Sequence, residues 1–251
     1  MLKVSIITTT YNSQSTISDC MDSISCQTYK NIEHIIIDGG SNDRTLEIIN
    51  RKKITNSKVV SENDNGPYDA FNKGLKMVTG DIIGFVHSDD YLAKDSVVDS
   101  IVSRFNKNDI DSLYGDLDYI SKNDKNLVVR RWRPGNYKRI NFIFGWMPPH
   151  PTIYIKKEIY QKYGLFNISF GTASDYELII RFFYKYRISS LYLPKTITKM
   201  RTGGLSNSSF FNRVMSHLND WKAWRENKLS IFPFWVILKP IRKIPQFFNF
   251  L

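Results

Sequence analysis

Three acidic clusters in this chain have the residue types and spacing that chemistry on a phosphorylated or hydroxylated ligand requires. Ser88-Asp89-Asp90 directly follows an apolar run. Adjacent carboxylates repel, so exposing a pair after a buried strand suits a divalent cation. Hard ions such as Mg2+ or Mn2+ take oxygen ligands and fill the rest of their shell with phosphates. The same residues also suit a solvated turn with an Asp capping the helix near Ser96. Asp38-Gly39-Gly40 offers a carboxylate to a base or ribose and glycines that let backbone approach a ligand, although Asp-Gly is equally a hairpin turn. Asp69 and Lys73, four residues apart beside Gly66, Pro67, Tyr68 and Asn72, read as a ligand-facing set or as an exposed helical ion pair. Asp175, in Ser174-Asp175-Tyr176-Glu177, reads by itself as the N-cap or first-turn acid of its helix.

The elements that must position these groups alternate regularly. Val4 to Thr9 is a β-branched, apolar strand, followed by Asn12-Ser13 and a helical spacing at Ile17, Met21 and Ile24. Ile32 to Ile37 is a second strand, and Ser41 or Asn42 can cap the next helix. Lys58 to Ser61 is a third strand, Pro67 opens a helix to about Val78, and Ile82 to Val86 is a fourth strand before a helix from Ser96 to Phe105. This order implies an α/β fold: an open, mostly parallel sheet with helices on both faces. Ligands bind such sheets at the carboxyl ends of the strands, so Tyr11, Asp38, Glu62 to Asp64 and Asp89-Asp90 should share one edge.

Beyond residue 110 the pattern changes to a hairpin (Leu113 to Ile120 with Leu127 to Trp132), a loop to Pro151, and strand Thr152 to Ile155. A helix from Ile159 to Tyr163, a helix from Asp175 to Tyr186, short strands near Leu191 and Ile197, and a polar helix over 208–226 complete the reading. The expected division is a domain of residues 1–207, with halves 1–110 and 111–207, and a tail of residues 208–251.

The formal charge of +11 calls for an acidic partner: nucleic acid, a phosphorylated substrate or an anionic membrane. Cys20 and Cys26 do not share a helical face and have no CxxC or His/Cys companions, so structural zinc and a disulfide framework are not expected. No apolar run reaches the roughly 20 residues needed to span a bilayer, and the N-terminus runs straight into a strand pattern. The expected location is therefore the cytoplasm.

In order and spacing, Val4-Ser5-Ile6-Ile7-Thr8-Thr9-Thr10-Tyr11-Asn12, Ile36-Ile37-Asp38-Gly39-Gly40-Ser41-Asn42-Asp43-Arg44-Thr45, the run from Ser61 through Gly66-Pro67-Tyr68-Asp69-Ala70-Phe71-Asn72-Lys73-Gly74, and Ser88-Asp89-Asp90 closely resemble the family 2 glycosyltransferases. Within that family the likeness is to bacterial enzymes of colanic acid, O-antigen and capsule assembly. It is strong over about residues 3–105 and weaker to about residue 205. The resemblance implies the GT-A fold, a Rossmann-like sheet, and inverting hexosyl or N-acetylhexosaminyl transfer from a nucleotide sugar, UDP-linked by expectation. The acceptor would be a hydroxyl of an oligosaccharide or lipid-linked glycan.

By the same resemblance, Thr9 and Tyr11 would line the nucleotide base and Asp38 would hydrogen-bond it, with Asp69 and Lys73 on the donor side. Asp89 would reach ribose or metal, and Asp90 the Mn2+ or Mg2+ that bridges the diphosphate. Many relatives have an acidic residue two positions before Asp89; here it is His87. Asp175 would be the general base, although the family's preceding Glu is Ser174 in this chain, and Glu177 is the alternative base. His150, between two prolines, would touch acceptor or donor sugar or else be structural. Arg201, before Gly203-Gly204, would pair with phosphate from a mobile loop or belong to a plain Gly-rich turn.

The tail joins Phe232, Phe234 and Trp235 to Lys239, Arg242 and Lys243. It suits peripheral contact with an anionic membrane at the inner face of the cytoplasmic membrane, or packing on the domain or in a homodimer. A nucleotidyltransferase of similar architecture should carry a Gly-rich, basic loop after strand one, and Thr9 to Ser13 contains none. No nucleic-acid-binding motif is present, so nucleic acid is not an expected partner. A non-catalytic nucleotide-sugar-binding protein remains the other alternative if Asp175 is not placed as a base.

Overall fold

The computed structural model describes residues 1–203, 219–229 and 246. Its sheet begins with four parallel strands: β1 (Val4–Thr10), β2 (Ile32–Asp38), β3 (Ser57–Ser61) and β4 (Ile82–Phe85), in the order β3-β2-β1-β4. Between them lie α1 (Ile17–Ser25), α2 (Thr45–Lys52) and α3 (Pro67–Met77). The short β5 (Tyr91–Leu92) and α4 (Val97–Lys107) follow. The second half adds β6 (Ser112–Ile120), β7 (Val128–Trp132), β8 (Tyr154–Lys156), α5 (Lys157–Tyr163), α6 (Ser174–Ile179) and β9 (Ser190–Arg201). The sheet continues β4-β8-β6-β9-β5, and β7 pairs with Leu117–Ile120 of β6, beyond the short β8 contact at Ser112 and Leu113. It is parallel across β6 and β9 and antiparallel at the other joints of this half.

Strand alternation divides the core into two faces. Ile6 packs with α1, α2 and α4 through Met21, Ile49 and Ile101, and Ile7 packs with α3 through Phe71 and Leu75. Each such side chain contributes about 1.5–3 kcal/mol by leaving water. Gly74 sets how closely α3 approaches the sheet, because a Cβ there would meet Ile7 Cγ2 at 2.6 Å. Pro67 stands at the start of α3, where its missing N–H costs nothing.

At the amino end of the strands, opposite the acidic rim, Glu33 is buried. Its carboxylate accepts from the Thr79 hydroxyl at 2.6 Å and the Gly80 N–H at 3.0 Å, and Lys3 Nζ lies 3.1 Å away. Burial pushes this carboxyl up, but Ser5, Thr79 and Lys3 outweigh it and hold it down at about 2.

Two local expectations are corrected, and a third lies partly outside the described residues. The turn before α2 is closed by Asp43, whose Oδ1 accepts from the Thr45 N–H at 2.9 Å, rather than by Ser41 or Asn42. The two short strands near Leu191 and Ile197 are one strand, β9, whose register shifts against β6 on either side of Asp116. The polar helix is described only from residue 219, and there Ala223 and Trp224 are buried, with Trp224 Nε1 donating to the Tyr176 hydroxyl at 3.0 Å. The expected boundary at residue 207 and the basic aromatic tail lie outside the described residues, except Gln246, whose Oε1 accepts from Arg130 Nε at 2.8 Å.

Candidate active site

The carboxyl ends of β1, β2 and β3 are in register, Thr10 beside Asp38 and Asp38 beside Ser61. The loops above them are stitched together. The Asn12 N–H donates to Ser41 Oγ at 2.8 Å, and the hydroxyls of Ser13 and Ser88 lie 2.9 Å apart, which joins the rim to the turn after β4. Tyr11 stands 62% exposed at the end of β1, an aromatic face open to a planar ligand, while Thr9 is buried beneath it in the strand.

Asp38 faces inward. Its carboxylate accepts from the N–H groups of Gly40 and Ser41 at 3.2 and 2.9 Å and from the hydroxyls of Ser41 and Ser61. Four donors fill its acceptor capacity, so in this structure Asp38 shapes the loop in which Gly40 takes φ +82°. Asp69 and Lys73 are also engaged close to home. Asp69 Oδ2 accepts from the Asn65 N–H at 3.0 Å, and Lys73 Nζ lies 2.9 Å from Glu62 and 3.9 Å from Asp69 while donating to the Asn63 carbonyl. This is the helical ion-pair arrangement, extended by Glu62.

The acidic pair is not exposed as the sequence suggested. The Asp90 N–H closes a turn onto the His87 carbonyl at 3.0 Å, which directs Asp90 under β9, where it is fully buried, while Asp89 is half-buried. Burial, and then the neighbouring Asp89 charge, push the Asp90 carboxyl well above the usual range. Arg201, the last residue of β9, meets this corner. Its N–H donates to Asp90 Oδ1 at 3.3 Å, its Nη1 to the Asp89 carbonyl at 2.6 Å, and its Nη2 to Asp19. Asp90 Oδ2 is buried without a hydrogen-bond partner. An orphaned carboxylate oxygen beside a second, half-exposed carboxylate is a donor set that fits a hard divalent ion. Among the described residues no group of three or more His, Cys, Asp and Glu is arranged to hold a metal by itself, so the remaining ligands would come from water and phosphate.

Asp175 enters from the other half. It lies in the first turn of α6, where Tyr176 N–H points at its Oδ1 at 2.7 Å, and no side chain caps that helix. The His87 imidazole is lowered by burial and feels both Asp89 and Asp175; the Tyr119 hydroxyl, raised by burial and opposed by Arg130, feels both Asp90 and Asp175. The fields of both acidic groups therefore reach this pair of side chains. Glu177 does not face them. It is buried, paired twice with Arg181 at 2.9 and 3.0 Å, and accepts from Asn227 Nδ2.

His150 forms the floor. Its ring is buried among Phe85, Phe71, Phe166 and His87 at centroid distances of 5.5, 6.2, 5.6 and 6.4 Å, and its Nε2 has no hydrogen-bond partner. Burial, and then the neighbouring His87, lower it to about 3, so it stays neutral. Sequence reading missed Tyr68, which hydrogen-bonds Asp175. It stood in view inside the Gly66-to-Gly74 motif, but no local signal names a partner so distant in sequence.

A four-stranded parallel half-sheet continued at β4 by a mixed half-sheet is the architecture of the GT-A fold. The sequence profile described as Glycosyl transferase family 2 matches residues 5–164, and the chain belongs to that family. It is 28% identical over 209 residues to a PGL/p-HBAD biosynthesis glycosyltransferase of Mycobacterium bovis, covering 81% of this chain and 79% of the relative. It is 31% identical over 182 residues to an "Uncharacterized glycosyltransferase" of Mycobacterium tuberculosis, covering 71% and 68%. Among solved structures, S. aureus TarS 1-349 in complex with UDP-GlcNAc aligns with a TM-score of 0.69 at 20% identity, over 99% of this chain and 73% of that one. The mannosyltransferase PcManGT from Pyrobaculum calidifontis, in complex with GDP-Man and Mn2+, aligns at 0.65 and 16%, over 94% and 68%. The chain spans 65% of the length of TarS 1-349 in another of its structures and 44% of the longer TarS chain. At these identities the structural likeness is one of fold.

Proposed function

We propose that this glycosyltransferase is an inverting enzyme that moves a hexosyl or N-acetylhexosaminyl group from a nucleoside-diphosphate sugar, UDP-linked, to a hydroxyl of an oligosaccharide or lipid-linked acceptor. The setting proposed is bacterial surface polysaccharide assembly, such as O-antigen or other lipopolysaccharide. The observation that carries the reading is that Tyr68, which hydrogen-bonds Asp175, packs on Phe71, and Phe71 on His87 two residues before Asp89, at ring-centroid distances of 6.1 and 5.0 Å. A proton acceptor and a phosphate-side acid pair bordering one space are what a single displacement at an anomeric carbon needs.

In this mechanism residues 1–110 hold the donor and residues 111–207 the acceptor. Tyr11 stacks on the base, and the Asp38 loop lines it. Asp89 and Asp90 would hold Mn2+ or Mg2+, which supplies positive charge to the leaving diphosphate. Arg201 adds a fixed cation at the same corner. Asp175 takes the proton from the acceptor hydroxyl as its oxygen bonds to the anomeric carbon and the bond to the diphosphate oxygen breaks. His150, kept neutral, shapes the floor beneath the sugar. The nucleotide sugars held by the TarS and PcManGT structures, and the Mn2+ in the latter, support the donor class and the cation.

Among the described residues no helix is long and apolar enough to cross a membrane. The charge of +11 supports peripheral contact with the anionic inner face of the cytoplasmic membrane, where a lipid-linked acceptor would be met. A homodimer through the tail is the competing use of that segment. The test is donor hydrolysis across UDP-, GDP- and dTDP-sugars with and without Mn2+. Metal-stimulated turnover of one donor class is expected, and failure to bind or hydrolyse any donor would overturn the reading.

A further inference from the structure

Helix α3 meets the acceptor-side half at two points on one face. Asn72 Nδ2 donates to the Phe166 carbonyl at 2.9 Å, and the Phe166 N–H donates to Asn72 Oδ1 at 3.0 Å. One amide thus satisfies both main-chain groups of a residue 94 positions away. One turn earlier, the Tyr68 hydroxyl hydrogen-bonds the Asp175 carboxylate and main-chain N–H. Positions i and i+4 share a helix face, so both contacts belong to one surface. The Phe166 ring packs against Tyr68 at 5.4 Å and Phe71 at 5.7 Å. The segment from Phe166 to Asp175 is itself tied down, because the single Ser174 O–H is shared between the carbonyls of Asn167 and Gly171, 2.9 and 2.7 Å from Oγ. Fixing Phe166 therefore fixes the approach to Asp175, and α3 is anchored on β1 at Gly74.

We infer that Tyr68 and Asn72 form a clasp on α3 that positions the Asp175 carboxylate beside the donor corner; this rests on the reading of Asp175 as the general base. Both are positioning residues that act through Asp175. A general base displaced by about an ångström loses roughly a hundredfold in rate, so a clasp spanning the two halves has a direct catalytic consequence. The Tyr68 hydroxyl, donating to a carboxylate, also favours its charged form. Among the described residues, titratable groups that interact with Asp175 include Tyr68 from α3, His87 from the turn after β4 and Tyr119 from β6.

The experiment uses the full chain with Mn2+ and four donors: UDP-GlcNAc, UDP-glucose, GDP-mannose and dTDP-glucose. The best hydrolysed donor serves for pH profiles of kcat, and its nucleoside diphosphate for Kd. Tyr68→Phe keeps the ring contacts and is expected to melt with the parent. Its kcat should fall about tenfold, its nucleotide Kd should stay within about twofold, and the acid limb of its profile should move to higher pH. Asn72→Ala should lose kcat comparably at unchanged Kd, assayed at a temperature where it is folded. Parent kcat and an unmoved acid limb in Tyr68→Phe overturn the clasp. Asp175→Asn, run in parallel, separates the two ideas. If it keeps parent turnover, the base reading falls and the clasp with it; if it is inactive while both α3 variants are unchanged, the clasp alone falls. Absence of turnover from all four donors overturns both.

Discussion

The main-chain N–H of Arg201 donates to the Asp90 carboxylate at 3.3 Å across 111 positions of sequence. This bond brings the end of β9 onto the turn that follows β4, so the corner proposed for the diphosphate is built from both halves of the chain. The guanidinium continues the arrangement, bonding the Asp89 carbonyl and Asp19 and lying 5.4 Å from the Tyr91 ring centroid.

Arg201→Ala is therefore expected to weaken nucleoside-diphosphate binding at least tenfold in isothermal titration with Mn2+, since one charge-assisted contact is worth about 1.5–3 kcal/mol. Arg201→Lys restores charge without the planar fork and should recover only part of the loss. Full recovery by Lys would show that the fork has no role.

Asp90 carries a buried carboxylate with one oxygen lacking a partner. Burial already favours the neutral form of this carboxyl, and an unsatisfied buried oxygen contributes little to stability. Asp90→Asn should thus melt in EDTA at or above the parent temperature, while Mn2+-stimulated turnover falls by about a hundredfold or more. A large drop in Tm with activity retained would make Asp90 a structural acid instead.

Much of this was legible in the chain. Val4 to Thr9, Ile32 to Ile37 and Ile82 to Val86 are apolar runs closed by polar turns, and a buried parallel strand has that pattern for a physical reason: both faces are covered. What could not be read were the partners that tertiary structure supplies. Asp38 looked free for a ligand, and only the register beside β3 shows that Ser61 helps fill it. The Asn72 clasp on Phe166 joins residues that no local window contains together. β9 looked like two pieces because Pro194 and Lys195 interrupt its apolar pattern; the register shift beside Asp116 absorbs the interruption.

Glu177 separates structure from catalysis. Its two bonds to Arg181 are buried, and breaking a buried pair costs about 3–5 kcal/mol when one charge is left behind. Glu177→Gln keeps some hydrogen bonding, so urea unfolding should show a loss of about 2–3 kcal/mol. Turnover per folded molecule should stay within about threefold of the parent. A catalytic collapse with stability intact would reinstate Glu177 as the base.

Glu33 makes stability pH-dependent. Its folded-state value of about 2 lies below the ordinary 4.5, so its contribution is complete above pH 4.5 and is lost as pH falls through about 2. That difference corresponds to about 3 kcal/mol. The stability gap between parent and Glu33→Gln should be widest near neutrality and close over this window in urea titrations. His34, lowered to about 3 by burial, acts with the same sign: it must remain neutral to stay buried, and it destabilises the fold as pH drops below 6.5. The variant should retain this second slope, and a flat profile would show that His34 is not held neutral.

The most direct measurement compares donor binding and turnover in Asp175→Asn. The expected result is a nucleotide-sugar Kd within about twofold of the parent with kcat reduced about a thousandfold or more, as befits a residue acting only in proton transfer. Parent-like turnover, or loss of donor binding in proportion to loss of rate, would contradict the assignment of Asp175 as the base facing the Asp89-Asp90 corner.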